Sequence, residues 1–128
     1  MVYSVVYRSE ANMPEADVSN LDILRGALAR NPRLGLTGFL VRDRGRFLQV
    51  LEGPRESVLP MMRRIHRDPR HRTVAVMGAG ERRGRRFGAW SMGYASGLSE
   101  AGLPAIAELD PAAALTLLER AALSQSAA

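Results

Sequence analysis

The spacing of apolar residues changes repeatedly along this chain, and the order of those changes limits what it can fold into. Residues 2–8 (VYSVVYR) are rich in β-branched and aromatic side chains, a strand pattern. Residues 10–17 carry Asn, Pro and acidic side chains and read as a loop. Ser19 then has the character of a helix N-cap, with Asp22 three positions on. Leu21, Leu24 and Leu28 fall on one face of that helix, beside Ile23 and Ala27, and Asn31-Pro32 is expected to end it. Gly35–Val41 and Phe47–Leu51 read as two strands around the polar, glycine-bearing segment Arg42–Arg46, a hairpin pattern. Pro54 suits the first turn of a second helix, whose apolar face would be Val58, Met61, Met62 and Ile65, with Asp68-Pro69 closing it. Thr73–Met77 predicts a fourth strand and Arg85–Tyr94 a fifth, with an exposed basic connection between them.

The order strand, helix, strand, strand, helix, strand, strand is that of an α+β, ferredoxin-like βαββαββ sandwich. It predicts a mixed five-stranded sheet with both helices on one face. After Tyr94 the composition turns to Ala, Gly, Ser and Leu. Residues 97–102 look like a linker. Asp110-Pro111 pairs an N-cap with a proline at the first helical position, so a C-terminal helix should follow, with Leu115, Leu118 and Ala122 at helical spacing and a turn or two near Pro104–Glu108. That helix could cap the open sheet face or dock a second copy; its apolar residues lead us to expect a dimer or higher oligomer.

Several chemistries are excluded at once. The chain has no Cys, so disulfides, thiolate metal sites and cysteine nucleophiles are out. No apolar run approaches the ~20 residues of a membrane span, and the N-terminus lacks the look of a secretory leader, so a cytoplasmic protein is expected. There is no glycine-rich dinucleotide fingerprint, no phosphate-binding Gly-Lys-Ser/Thr loop and no Gly-x-Ser-x-Gly elbow. His66 and His71 have no acidic cluster to complete a metal set. All 18 basic side chains are Arg, against 13 acidic ones, and they concentrate at residues 63–72 and 82–86. This surplus favours anionic partners, but without interleaved stacking aromatics it does not point to nucleic acid.

Polar side chains at core positions carry more information. Tyr3, Val5 and Tyr7 share one strand face, and Phe47, Gln49 and Leu51 share another. A glutamine between Phe and Leu on a buried face must find hydrogen bonds, and Tyr7 on a neighbouring strand could supply one. The pair could satisfy itself within a core, or it could bind a buried polar ligand, with Asn31 joining it.

At this point the residues carry a resemblance. Tyr7-Arg8-Ser9, Leu36-Thr37-Gly38 after Asn31, and Phe47-Leu-Gln-Val-Leu-Glu-Gly53 resemble the BLUF family of flavin-using blue-light sensors. Ile65, Asp68-Pro-Arg-His71, Phe87 and Trp90-Ser-Met92 continue the likeness in order, over residues 2–94. The resemblance implies residues 1–94 as the flavin-binding domain and residues 95–128 as a helical extension that packs on the sheet or mediates association.

It further implies a flavin, FAD with FMN or riboflavin as alternatives, held between the two helices. Tyr7 would donate an electron and a proton, and Gln49 would sit between Tyr7 and the polar edge of the ring. Asn31 would bind the pyrimidine side; Ile23, Leu24, Phe47 and Ile65 would form apolar walls. Arg64, Asp68, Arg70 and His71 would lie toward the ribityl and phosphate end. Trp90 and Met92 would relay the signal. Arg30 stands where some members carry a second amide, and could reach the cofactor's ribityl or phosphate instead.

With roughly thirty residues beyond position 94, too few for an independent effector, the chain reads as a short photoreceptor without an attached catalytic domain. It would signal to a separate partner protein. An acylphosphatase-like hydrolase using Arg8 and Asn31, and a cofactor-free interaction module on the same fold, are the alternatives.

Overall fold

The computed structural model describes residues 1–12, 19–88, 92–96 and 106–126. In chain order these form β1 (Val2–Ala11), α1 (Ser19–Leu34), β2 (Thr37–Asp43), β3 (Arg46–Gly53), α2 (Arg55–Arg67), β4 (His71–Arg82), β5 (Gly93–Ser96), a 3-10 turn at Ile106–Glu108 and α3 (Pro111–Ser126). The five strands make one sheet in the order β4-β1-β3-β2-β5. The pairs β1–β3, β1–β4 and β2–β3 are antiparallel, whereas β5 runs parallel to β2. This is the mixed βαββαββ sheet expected from the sequence.

Strand alternation sorts the side chains into two cores. Val5, Tyr7, Leu40, Phe47 and Leu51 face α1 and α2, where Ala27, Val58, Met61 and Met62 pack on them. Val6, Phe39, Val41, Leu48 and Val50 face the other way, onto Phe87, Ile106, Leu109 and the α3 residues Ala114, Leu117 and Leu118. Thus α3 covers the second sheet face, with Leu117 and Leu118 buried there, while Leu123 is 69% exposed. Its start follows the expected chemistry, since Asp110 Oδ1 accepts from the Ala113 N–H at 2.8 Å.

Turn chemistry fixes the positions of the two central elements. Asp43 pairs with Arg46, leaving Arg44 and Gly45 as a two-residue turn with φ of 51° and 76°. Positive φ at both positions suits the right-handed twist of the β2–β3 hairpin. At the end of α1, Gly35 adopts φ 69°, the Leu36 N–H donates to Asn31 O at 2.8 Å, and the Gly35 N–H donates to Pro32 O at 3.4 Å. These are the two bonds of a Schellman closure.

That closure corrects one expectation. Asn31-Pro32 does not end α1; the helix continues to Leu34, because glycine rather than proline provides its stop. Leu28, expected on the apolar face, is 47% exposed. Pro54 occupies the N-cap of α2 rather than its first helical position. β4 is far longer than Thr73–Met77: the stretch after Met77 has little strand propensity, yet pairing with Val2–Val6 holds it extended as far as Arg82.

The fifth strand lies later than Arg85–Tyr94, at Gly93–Ser96. Residues 85–88 form bends and a turn because their backbone donors are taken elsewhere: the buried Glu52 carboxylate accepts from the N–H groups of Arg86 and Phe87 at 2.8–3.1 Å. The expected linker at 97–102 lies outside the described residues, and so does Trp90.

Candidate functional site

β1 and β3 lie side by side in the centre of the sheet, with Tyr7 directly opposite Gln49. Both side chains point toward the helices. Tyr7 has no exposed surface and Gln49 is 7% exposed. The Tyr7 hydroxyl donates to Gln49 Oε1. The other end of the same amide, Nε2, donates to Met92 Sδ at 3.4 Å. One carboxamide therefore joins a phenol on β1 to a thioether just before β5. Burial pushes the Tyr7 pKa far above that of a free phenol, and the nearby Asp68 charge adds to this, so the hydroxyl keeps its proton at any ordinary pH.

Around this centre the walls are apolar and aromatic. Phe47 is fully buried, and Ile23 and Ile65 pack partly buried against the same core. Leu24 lies on α1, but its side chain is outside the described residues. His71 lies at the edge, its ring 4.9 Å from that of Phe47 and 6.2 Å from that of Tyr7. Its Nδ1 is 2.9 Å from Ser9 Oγ. A register irregularity between Arg8 and Glu10, with Thr73 at φ 49°, marks a bulge beside it.

Burial pushes the His71 pKa down to about 4; Arg70 adds to the effect and Asp68 opposes it. The folded protein thus takes up this proton later than the unfolded chain as the pH falls. Stability should decline as pH drops from about 6.5 toward 4, then level off for this group. We expect a loss of about 2 kcal/mol between pH 7 and pH 5 in urea unfolding. His71→Gln should flatten that slope. Asp68, held below its ordinary value first by the hydrogen bond from Arg70, acts in the same direction at lower pH. An unchanged slope in His71→Gln would contradict this assignment.

At the far end, several arginines gather around one carboxylate. Asp68 and Arg70 pair tightly, with Nη2 2.6 Å from Oδ2 and Nε 2.9 Å from Oδ1. Burial lowers the Arg30 pKa, and the charges of Arg64 and Arg70 lower it further. Arg30 Nε is buried with no hydrogen-bond partner among the described residues. An open cleft of about 700 Å³ is lined here by Arg63, Arg64, Arg67, Asp68 and Arg70, with Pro60 and Pro69. Asn31, 1% exposed, sits in the last turns of α1 beside Arg30.

The structure therefore gathers Tyr7, Gln49, Met92, Phe47 and His71 into one buried set, and places Arg30, Arg64, Asp68 and Arg70 in a second, polar set. Sequence reasoning missed Ser9 as the partner of His71. It also passed over Glu52, although a carboxylate on the face shared with Leu48 and Val50 invites the same question as Gln49.

Comparison with known proteins bears on the family and the fold. Residues 2–93 match the family model described as sensors of blue-light using FAD. The chain is 36% identical over 74 residues to the photoactivated adenylate cyclase subunit beta of Euglena gracilis, covering 58% of this chain and 9% of that one. It is 33% identical over 88 residues to the blue light- and temperature-regulated antirepressor BluF of Escherichia coli, covering 69% and 22%. The chain thus spans less than a quarter of the length of these curated relatives. A solved structure described as BlrB, a BLUF protein in its dark state, superposes with a TM-score of 0.84 at 31% identity, over 96% of each chain. With a family match over most of its length and the fold of a solved member, this chain belongs to the BLUF family, the sensors of blue light using FAD.

Proposed function

We propose that this protein senses blue light through a bound flavin, with Tyr7 and Gln49 as the photochemical pair, and passes the signal to a partner protein. The observation that carries the reading is the continuous chain of Tyr7 hydroxyl, Gln49 amide and Met92 sulfur. When bound, the flavin supplies the absorption of blue light and an excited state that accepts an electron.

The residues present fit such a group. A flat apolar ring with one polar edge needs apolar walls and a few placed amides, and Phe47, Ile23 and Ile65 with Gln49 and Asn31 meet that need. Leu24 is proposed as a further wall. The convergent Arg30, Arg64 and Arg70, with an Arg30 Nε that has no hydrogen-bond partner among the described residues, suit an anionic tail and favour a phosphate-bearing flavin. Of these we propose FAD, the flavin in the family's description; a related structure of Klebsiella pneumoniae BlrP1 carries FMN. His71 and Asp68 complete the ribityl side. Residues 1–94 are proposed as the sensing unit, and residues 95–128 as the cover of the opposite sheet face.

Tyr7 holds its proton at the phenol oxygen and is the oxidisable group. Gln49 has a donor and an acceptor on one amide, so rotation or tautomerisation exchanges its two bonds. A rearranged hydrogen bond is worth only about 1 kcal/mol. The output is therefore a modest population shift in a neighbouring element, for which we propose the Trp90–Met92 segment. No helix among the described residues is long and apolar enough to cross a membrane.

The test is a dark and an illuminated absorption spectrum of the purified protein, with extraction of its cofactor. A yellow protein that moves its flavin bands to the red and returns in the dark is expected. A flavin-loaded protein with no reversible shift would overturn the reading, as would a colourless protein that turns over acyl phosphates.

A further inference from the structure

Glu52 lies three residues after Gln49 on β3, on the opposite sheet face, and is fully buried. Its carboxylate accepts from the Arg86 N–H at 2.9 and 3.1 Å and from the Phe87 N–H at 2.8 Å. The turn it grips is held on two further sides. Arg85 donates to Gly35 O at 2.7 Å and to Thr37 Oγ1 at 2.8 Å, in the link between α1 and β2, and to Glu52 O at 3.2 Å. Arg86 Nη1 reaches Glu119 Oε1 of α3 at 2.7 Å. Phe87, 1% exposed, enters the core that α3 completes, with its ring 6.3 Å from that of Phe39.

We propose that Glu52 is a positioning residue which, by clamping the 85–87 turn to β3, makes α3 respond to events at Gln49 on the other side of the sheet. The proposal rests on the photoreceptor reading above. A buried carboxylate carrying these backbone donors cannot let go of them without leaving charged and polar groups unpaired away from water. The turn must therefore follow β3 when β3 shifts, and Phe87 and Arg86 carry that shift to α3. Met92 lies five residues beyond Phe87, so the same stretch of chain is tied to Gln49 at one end and to Glu52 at the other.

The experiment is amide hydrogen exchange of the flavin-loaded protein, dark and illuminated, with the absorption shift recorded on each sample. In the wild type, light should change exchange within α3. Glu52→Gln keeps the shape but turns one acceptor into a donor facing the Arg86 and Phe87 N–H groups. It should retain the red shift while cutting the light-driven change in α3 by about fivefold, the worth of one hydrogen bond. A merely structural role would not separate the two readouts.

Arg86→Ala, on the exposed side of the same turn, should reduce the α3 response in the same direction. It decides the matter alone if Glu52→Gln does not fold. A wild type whose red shift leaves α3 unchanged, or variants that keep the full α3 response, would overturn the proposal. If the wild type shows no red shift, the photoreceptor reading fails separately. The clamp is then judged in the dark: Glu52→Gln must speed exchange in α3 as well as at Arg86 and Phe87, and an unaffected α3 overturns it.

Discussion

Replacing Gln49 by leucine is expected to leave a folded, flavin-loaded protein whose absorption no longer moves on illumination. Leucine fills nearly the same volume and suits its neighbours Phe47 and Leu51, so the sheet should tolerate it. What it removes is the amide that bonds to both the Tyr7 hydroxyl and Met92 Sδ. The Tyr7 hydroxyl then lies buried without its acceptor, at a cost of about 1–3 kcal/mol, partly offset by the added apolar surface. Stability should therefore fall by no more than that, while the reversible red shift disappears altogether. Spectra before and after illumination, with urea unfolding on the same preparation, separate the two effects. A leucine variant that still shifts reversibly would remove Gln49 from the mechanism.

The largest effect on folding is expected at Gly38. A Cβ there would lie 2.1 Å from Val50 O and 3.5 Å from the Leu51 Cα. Both are backbone atoms of β3, facing Gly38 near the open end of the hairpin, and neither can swing aside as a side-chain tip would. Gly38→Ala must therefore push β2 away from β3 next to the Gln49 pairing with Leu40. We expect a loss of about 3 kcal/mol, at the upper end of ordinary overpacking costs and a large fraction of the 5–15 kcal/mol typical of a domain. The midpoint of denaturant unfolding should drop with little change in slope. Flavin retention should weaken with it, because β3 carries Phe47 and Gln49. A variant with the wild-type midpoint would show that the hairpin has room the structure does not suggest.

Much of this was legible from the residues, for reasons that can be named. β-Branched and aromatic content marked β1, the glycine-bearing turn marked β3, and strand alternation then put Tyr7 and Gln49 on core faces, where a buried amide needs partners. The capping chemistry of Asp110-Pro111 located α3 for a similar reason: the signal is local. Where the structure departs from expectation, the cause is nonlocal. Gly78–Arg82 is extended because β1 lies beside it, not because of its own propensities. Residues 85–88 leave the strand pattern because Glu52, more than thirty residues earlier, captures their N–H groups. Pro32 was read as a stop, yet the helix runs on to a glycine whose positive φ completes the closure. The roles of Asn31, Ile65 and the arginines came from family likeness, because no local pattern distinguishes a ligand-facing arginine from a solvated one.

The complete burial of Tyr7 has a consequence for how such a switch is wound back. Water cannot collect a proton from a phenol that has no surface, and the imidazole of His71, 6.2 Å from its ring, is itself shielded and weakly basic. In the proposed photochemistry, whatever leaves that oxygen would stay within the protein's own circuit and come home by the way it left. On the proposed reading, we therefore expect dark recovery to need no help from bases dissolved in the surrounding medium.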